Sequence, residues 1–166
     1  MGMAAYFTPV AAEKLDELKA DPSRMESFLF PDEDHGDEDP EGTVDIDKAW
    51  HGIHFVLCAL AKDDHAPLAA AVLGGEELGE DAGYGPPRVL DPSEVQEVAS
   101  ALEAVSIEMF EASFDPHAMA AAEIYPNIWE RDGKEALDYL THFFPTLVSF
   151  YREAASRGSG AVLWLA

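Results

Sequence analysis

Arg88-Val89-Leu90-Asp91-Pro92-Ser93-Glu94-Val95-Gln96-Glu97-Val98-Ala99-Ser100-Ala101-Leu102 passes from strand to helix, and its reading decides the fold. Arg88 to Leu90 is a short run behind the turn-forming pair Pro86-Pro87, the pattern of a brief strand. Asp91 then supplies an N-cap acceptor, Pro92 a proline at the first helical position and Glu94 the capping-box partner. Val95, Val98, Leu102 and Val105 follow on one helical face, so the helix has one side to bury.

The same punctuation recurs in both directions along the chain. Thr8-Pro9 and Asp115-Pro116 repeat the opening, and Ser23 with Glu26 forms a capping box ahead of Phe28 and Leu29. Short helices are expected over roughly 9–20, 23–30 and 116–122. Asp45 can cap a helix from Ile46 to about Ala61, with Ile46, Trp50, Ile53, Leu57 and Leu60 as its core stripe. Its second half is apolar nearly all round, which makes it the expected central buried helix. A last long helix near Lys134 to Arg157 carries Leu137, Leu140, Phe144, Leu147, Tyr151 and Ala154, with Pro145 expected to kink or break it and Gly158 to stop it. Strands are expected at Ala4 to Phe7, Leu68 to Leu73, Arg88 to Leu90 and Ala161 to Leu165. About four short strands, unevenly spaced among many helices and without a repeat, predict an α+β fold: a small mixed or antiparallel sheet packed against several helices.

A chain of 166 residues fits one domain, and a hydrophobic content of 48% with nine Phe, five Tyr and three Trp closes a core without disulfides or a structural metal. The single cysteine, Cys58, lies in the apolar run Ile53 to Ala61, which suits a small buried thiol in a reducing compartment; a cytoplasmic location is expected. Met1 to Tyr6 carries no signal-peptide pattern, and no run approaches the ~18 apolar residues of a membrane-spanning helix.

The formal net charge is −23, from 33 acidic and 10 basic side chains, and Arg88 is the one Lys or Arg between Asp63 and Glu130. A surface of that sign repels phosphate backbones and anionic membranes, which argues against nucleic acid or membrane as partner. Two readings stay open: acidity that serves solubility in a salt-adapted, low-pI setting, and acidity that attracts a basic protein. Pro31 to Asp47 holds nine acids, two Pro and two Gly, too polar to order itself strongly, so a solvated flexible loop is expected at about 31–45.

Asp45-Ile46-Asp47-Lys48-Ala49-Trp50-His51-Gly52-Ile53-His54, Leu73-Gly74-Gly75-Glu76-Glu77, Gly83-Tyr84-Gly85-Pro86, Phe114-Asp115-Pro116, Ile124-Tyr125-Pro126 and Trp129 occur in that order. Together these blocks resemble the bacterial YfbM-like family of domains of unknown function, and the likeness spans essentially the whole chain. The acidic stretch Asp32 to Glu41 departs from it, being longer and more charged. The resemblance implies a compact α+β fold in a cytoplasmic bacterial protein. It transfers no catalytic residue, since the family has no established reaction.

Several clusters carry side chains capable of chemistry. Asp47, His51, His54 and Cys58 fall at i, i+4, i+7 and i+11 on a second helical stripe, all metal-ligand types, but without the HExxH pattern. The competing reading pairs His51 with Asp47 and buries His54 and Cys58. The stretch Gly74 to Pro87 follows an expected strand as phosphate loops do, yet it carries four acids and no lysine, so it would repel phosphate. Glu76, Glu77 and Asp81 with Tyr84 can instead line a cleft for a cation or pair as acid and base, or the glycines form tight turns and the acids are solvated. Asp37, Asp39, Glu41 and Gly42 imitate the start of a calcium loop, but Lys48 stands where its last carboxylate belongs. Tyr125, Trp129, Phe143 and Phe144 form an aromatic group that fits a core or a pocket wall.

No nucleophile elbow, cysteine-nucleophile signature or DNA-reading element appears, no cofactor is called for, and catalytic activity is left open. The first functional reading is a non-enzymatic binding protein whose acidic surface engages a basic protein, as an immunity or regulatory factor would. The second is a small-molecule binder or enzyme with a pocket built from Trp50, His51 and His54, the loop residues Glu76, Glu77, Asp81 and Tyr84, and Tyr125 with Trp129. It requires His54, Glu76, Asp81 and Tyr84 to converge in one cleft.

Overall fold

The computed structural model describes residues 2–31 and 39–166. Five strands, β1 (Ala5–Val10), β2 (Val44–Asp45), β3 (Glu76–Glu77), β4 (Arg88–Leu90) and β5 (Gly160–Leu165), form one sheet in the order β2-β1-β5-β4-β3. Every neighbouring pair is antiparallel. The alternation in β5 explains its central place: Ala161 and Leu163 face one core, Val162 and Trp164 the other, and all four are buried. A strand apolar on both sides needs a layer on each face.

The smaller layer is α1 (Ala12–Ala20) and α2 (Met25–Leu29), whose Leu15, Leu18, Met25 and Leu29 meet Val10, Val89, Val162 and Trp164. The larger layer holds α3 (Trp50–Ala61), α4 (Pro67–Leu73), α5 (Pro92–Glu103), α6 (Ile107–Ala112), α7 (Pro116–Ala121), α8 (Trp129–Asp132) and α9 (Lys134–Ser156). Its core joins Phe7, Leu90 and Leu163 of the sheet to Ile53 and Leu57 of α3, Val98 of α5 and Leu147 of α9. The caps read from sequence are in place: the Asp91 amide donates to Glu94 Oε2 at 2.7 Å, completing the capping box of α5, and Asp115 accepts the Ala118 amide at 3.0 Å. No described helix is long and apolar enough to cross a membrane.

Four local expectations are corrected. Leu68 to Leu73 is not a strand but most of α4, because Pro67 occupies the first helical turn and Ala69 to Ala71 favour helix over sheet. Thr8-Pro9 does not open a helix: both residues lie in β1, where the Trp164 indole donates to the buried Thr8 hydroxyl at 3.1 Å. The paired amides of Ala4 and Ala166 set the ladder's alternation, which turns Pro9's nitrogen away from β5 and past the end of β2, so no ladder bond is lost there. Ser23 bonds the Asp21 carboxylate at 2.5 Å in a 3-10 turn, Pro22–Arg24, and does not cap with Glu26. Pro145 does not break α9, which runs for 23 residues; the proline is exposed while Leu140, Phe144, Leu147 and Tyr151 anchor both sides of it to the core. The two-residue strands β2 and β3 were not foreseen. Residues 32–38 of the expected acidic loop, Asp37 of the calcium-like pattern among them, lie outside the described residues.

Candidate functional site

The sheet has a notch beside the end of β5. Its register pairs Arg88 with Leu163, and β4 starts there because Pro86 and Pro87 precede it. Leu165 shares the ladder phase of Leu163, so its peptide groups point to the same side, where among the described residues no strand continues beyond Arg88. A cleft of about 450 Å³ opens at this place. Phe7 and Leu163 reach it from one face of the sheet and Tyr6 and Trp164 from the other, with Trp50, His51, Glu77, Tyr84 and Arg88 around them.

Trp50 and His51 form one wall, their rings stacked at 4.8 Å and 9°. The Trp50 indole donates to the Met3 carbonyl at 2.9 Å, and the Met3 amide donates to the Tyr125 hydroxyl at 3.1 Å. His51 Nδ1 accepts the Tyr125 amide at 3.0 Å. That bond places the proton of the neutral ring on Nε2, and burial lowers the His51 pKa, favouring the neutral form. Behind this wall Trp129 is fully buried, with its indole on the Ile124 carbonyl at 2.7 Å.

The opposite rim is exposed. Glu77 and Arg88 sit directly across from each other in the β3–β4 pair and form an ion pair at 2.8 Å; Arg88 also donates to the Gly75 carbonyl at 3.3 Å. Tyr84 is 44% exposed at the tip of a turn. Asp81 holds that turn by accepting the Gly83 and Gly85 amides at 2.7 and 3.0 Å, bonds that lower its carboxyl pKa. The flanking glycines have φ of 120° and 101°, values that L side chains rarely adopt.

The structure thus brings Trp50, His51, Glu77 and Tyr84 to one cleft, with Tyr125 and Trp129 supporting it from behind. It does not gather His54, Glu76 and Asp81 with them. Asp81 lines a separate cleft of about 380 Å³ with Glu26 and Phe30, and Glu76 is exposed on β3 opposite Val89. His54 packs its Nε2 3.5 Å from Cys58 Sγ. Burial, then the neighbouring His51, lowers the His54 pKa, while burial, then Asp64, raises that of Cys58, so thiol and imidazole both stay neutral. Asp47 is turned away and accepts the Tyr139 hydroxyl at 2.8 Å; burial and that carboxylate push the Tyr139 pKa up. Among the described residues no group of three His, Cys, Asp or Glu side chains converges to hold a metal. Phe144 stacks on Phe110 in the core, and Phe143 meets Tyr139 edge-on.

Sequence reasoning missed Tyr6, Trp164 and Leu165 as cleft residues. Tyr6 and Trp164 lie opposite each other only because the first strand pairs with the last, which no local pattern shows. Arg88 was visible as an isolated cation, but its pairing with Glu77 was not. Chemically the cleft can hold and orient a ligand: it offers flat aromatic walls, the peptide groups of Leu165 and the Glu77–Arg88 pair. His51 Nδ1 is occupied by the Tyr125 amide and is not available as a base at that atom.

A family model described as a domain of unknown function, DUF1877, matches residues 1–164. Among solved structures, the chain is similar to the crystal structure of a protein of unknown function, YfbM from Escherichia coli. The TM-score is 0.74 at 24% identity, covering 98% of this chain and 99% of that one. At that identity the likeness is one of fold. Comparison with curated proteins gives no match.

Proposed function

The chain belongs to the DUF1877 family of domains of unknown function, and on that premise we propose that it is a binding protein without a reaction of its own, whose acidic exterior engages a basic protein. The observation that carries this reading is where the charge sits. The formal net charge is −23, and among the described residues no carboxylate is buried. Lys14, Lys19, Arg24, Arg88, Arg131 and Arg152 are each already paired with a carboxylate of the chain. The surplus of outward-facing negative charge accelerates encounter with a basic surface and makes the complex salt-sensitive. A cytoplasmic regulatory or immunity-type role fits such a surface and the lone half-buried thiol of Cys58. The test is capture from its own cell extract at low ionic strength, with release above ~0.15 M salt. A basic protein that rebinds in purified form is expected. Empty capture at low salt, with the candidate partner expressed, rejects the reading.

His54, Glu76 and Asp81 lie outside the cleft that holds Tyr84, so the pocket first expected does not stand as drawn; the cleft beside β5 favours a narrower second reading, a small-molecule binder or an enzyme with its pocket at Trp50, His51, Glu77 and Tyr84. Its support is the combination of aromatic walls with peptide groups left over at Leu165. A ligand screen read by the tryptophan indole resonances tests it. Ligands that move only residues remote from Trp50 and Trp164 count against it.

A further inference from the structure

We infer that the cleft beside the end of β5 receives an arginine side chain of the basic partner, so that the acidic surface attracts and the cleft anchors. The inference rests on the acidic-surface reading and gives it a place. The lining is aromatic: Tyr6 and Trp164 cover each other at 4.4 Å and 18°, Trp50 and His51 at 4.8 Å and 9°, with both tryptophans buried, so the ring open to a guanidinium is that of Tyr84, exposed at the mouth. A guanidinium is planar, weakly hydrated and attracted to ring faces, which suits such a ring better than a compact ammonium does.

The local field has the sign a cation requires. Burial first, and then the carboxylates of Asp45, Asp39 and Asp47, raise the pKa of the Tyr6 phenol, so negative charge is felt at the cleft's Tyr6 end. Acceptors are also in place. The Leu165 carbonyl lacks a strand partner on this side among the described residues. Glu77 is half of an ion pair whose other half, Arg88, is itself a guanidinium seated between a carboxylate and the Gly75 carbonyl at the cleft rim. The rim therefore already accommodates this chemistry, and an incoming arginine competes with Arg88 for Glu77. The competing possibility, an anion held by Arg88, makes the opposite prediction for the loss of Arg88.

The experiment titrates the intact protein with N-acetyl-arginine methylamide, follows the tryptophan indole N–H resonances, and uses N-acetyl-glutamate methylamide as the contrary probe. Tyr84→Ala is expected to weaken arginine binding about 2–5-fold, the size of one cation–π contact, while Tyr84→Phe retains it. Arg88→Gln is expected to tighten binding by freeing Glu77. Tyr84 is exposed, so its variants test the cleft and not folding, and an unchanged thermal melt verifies this. Loss of binding in Arg88→Gln, or preference for the glutamate probe, overturns the inference in favour of an anion site. Equal binding by wild type and Tyr84→Ala, with shifts scattered over the surface, also overturns it while leaving the acidic-surface reading intact. That broader reading falls separately, if the wild type captures no basic partner at low salt.

Discussion

The junction of Met3, Trp50, His51, Tyr125 and Trp129 and the turn that carries Tyr84 face each other across one cleft and are built in opposite ways. In the junction four polar handles have partners inside the chain: the Trp50 indole on Met3, the Tyr125 hydroxyl under the Met3 amide, His51 Nδ1 under the Tyr125 amide, the Trp129 indole on Ile124. In the turn, Asp81 satisfies the backbone of Gly83 and Gly85, and the Tyr84 ring is left in solvent. Both segments are dense in aromatic and polar residues. One spends those residues on structure and the other leaves them available, so density alone does not mark a binding surface.

The sharpest test of the contrast is Trp129→Ala. Removing a fully buried indole at the centre of the junction is expected to cost about 3–5 kcal/mol, read from urea unfolding. Gly52→Ala should follow, since an added Cβ would lie 2.5 Å from Trp129 Cη2 and 2.9 Å from Leu140 Cδ2; a loss of about 1–3 kcal/mol is expected.

A smaller effect is expected from pH. Burial holds the His51 pKa below its unfolded value of 6.5 in the native state, so the unfolded chain binds the proton first. Stability is full above pH ~6.5, falls as the pH drops from there toward the lower native value, and levels off beneath it. His54 titrates in the same sense. His51→Asn, which keeps an acceptor for the Tyr125 amide without titrating, should flatten the dependence between about pH 7 and pH 5. An unchanged slope would remove His51 from the account. The smallest effect belongs to Tyr84→Ala, within about 0.5 kcal/mol of wild type. If it instead destabilises as much as Gly52→Ala, the distinction between the two regions collapses.

What could be read from sequence was what is local. The cap of α5 is spelled out in Asp91, Pro92 and Glu94, and the cap of α7 in Asp115 and Pro116, because each partner lies within one turn. The α+β class followed from short strands among helices. Leu68 to Leu73 misled because a six-residue apolar run carries no period that separates strand from buried helix. The stripe Asp47, His51, His54 and Cys58 assumed an unbroken α-helix, whereas Asp47–Ala49 is a 3-10 turn with Asp47 at φ 47°, which swings that carboxylate to Tyr139. The cleft was half legible: Trp50, His51, Glu77 and Tyr84 stood out by residue type. Tyr6, Trp164 and Leu165 depended on a pairing between the two ends of the chain.

That pairing has a further meaning for how the protein comes into being. β1 and β5 run side by side from Ala5 opposite Leu165 to Val10 opposite Gly160. The centre of the sheet is therefore closed by the two strands most remote in sequence, and β4 has its inner partner only in β5. A nascent chain can form α3, α5 and α9 as it emerges, but neither core is sealed until Gly160 to Leu165 arrives. Synthesis of β5 becomes the commitment step, and a chain stalled just short of it exposes both faces of an unfinished sheet.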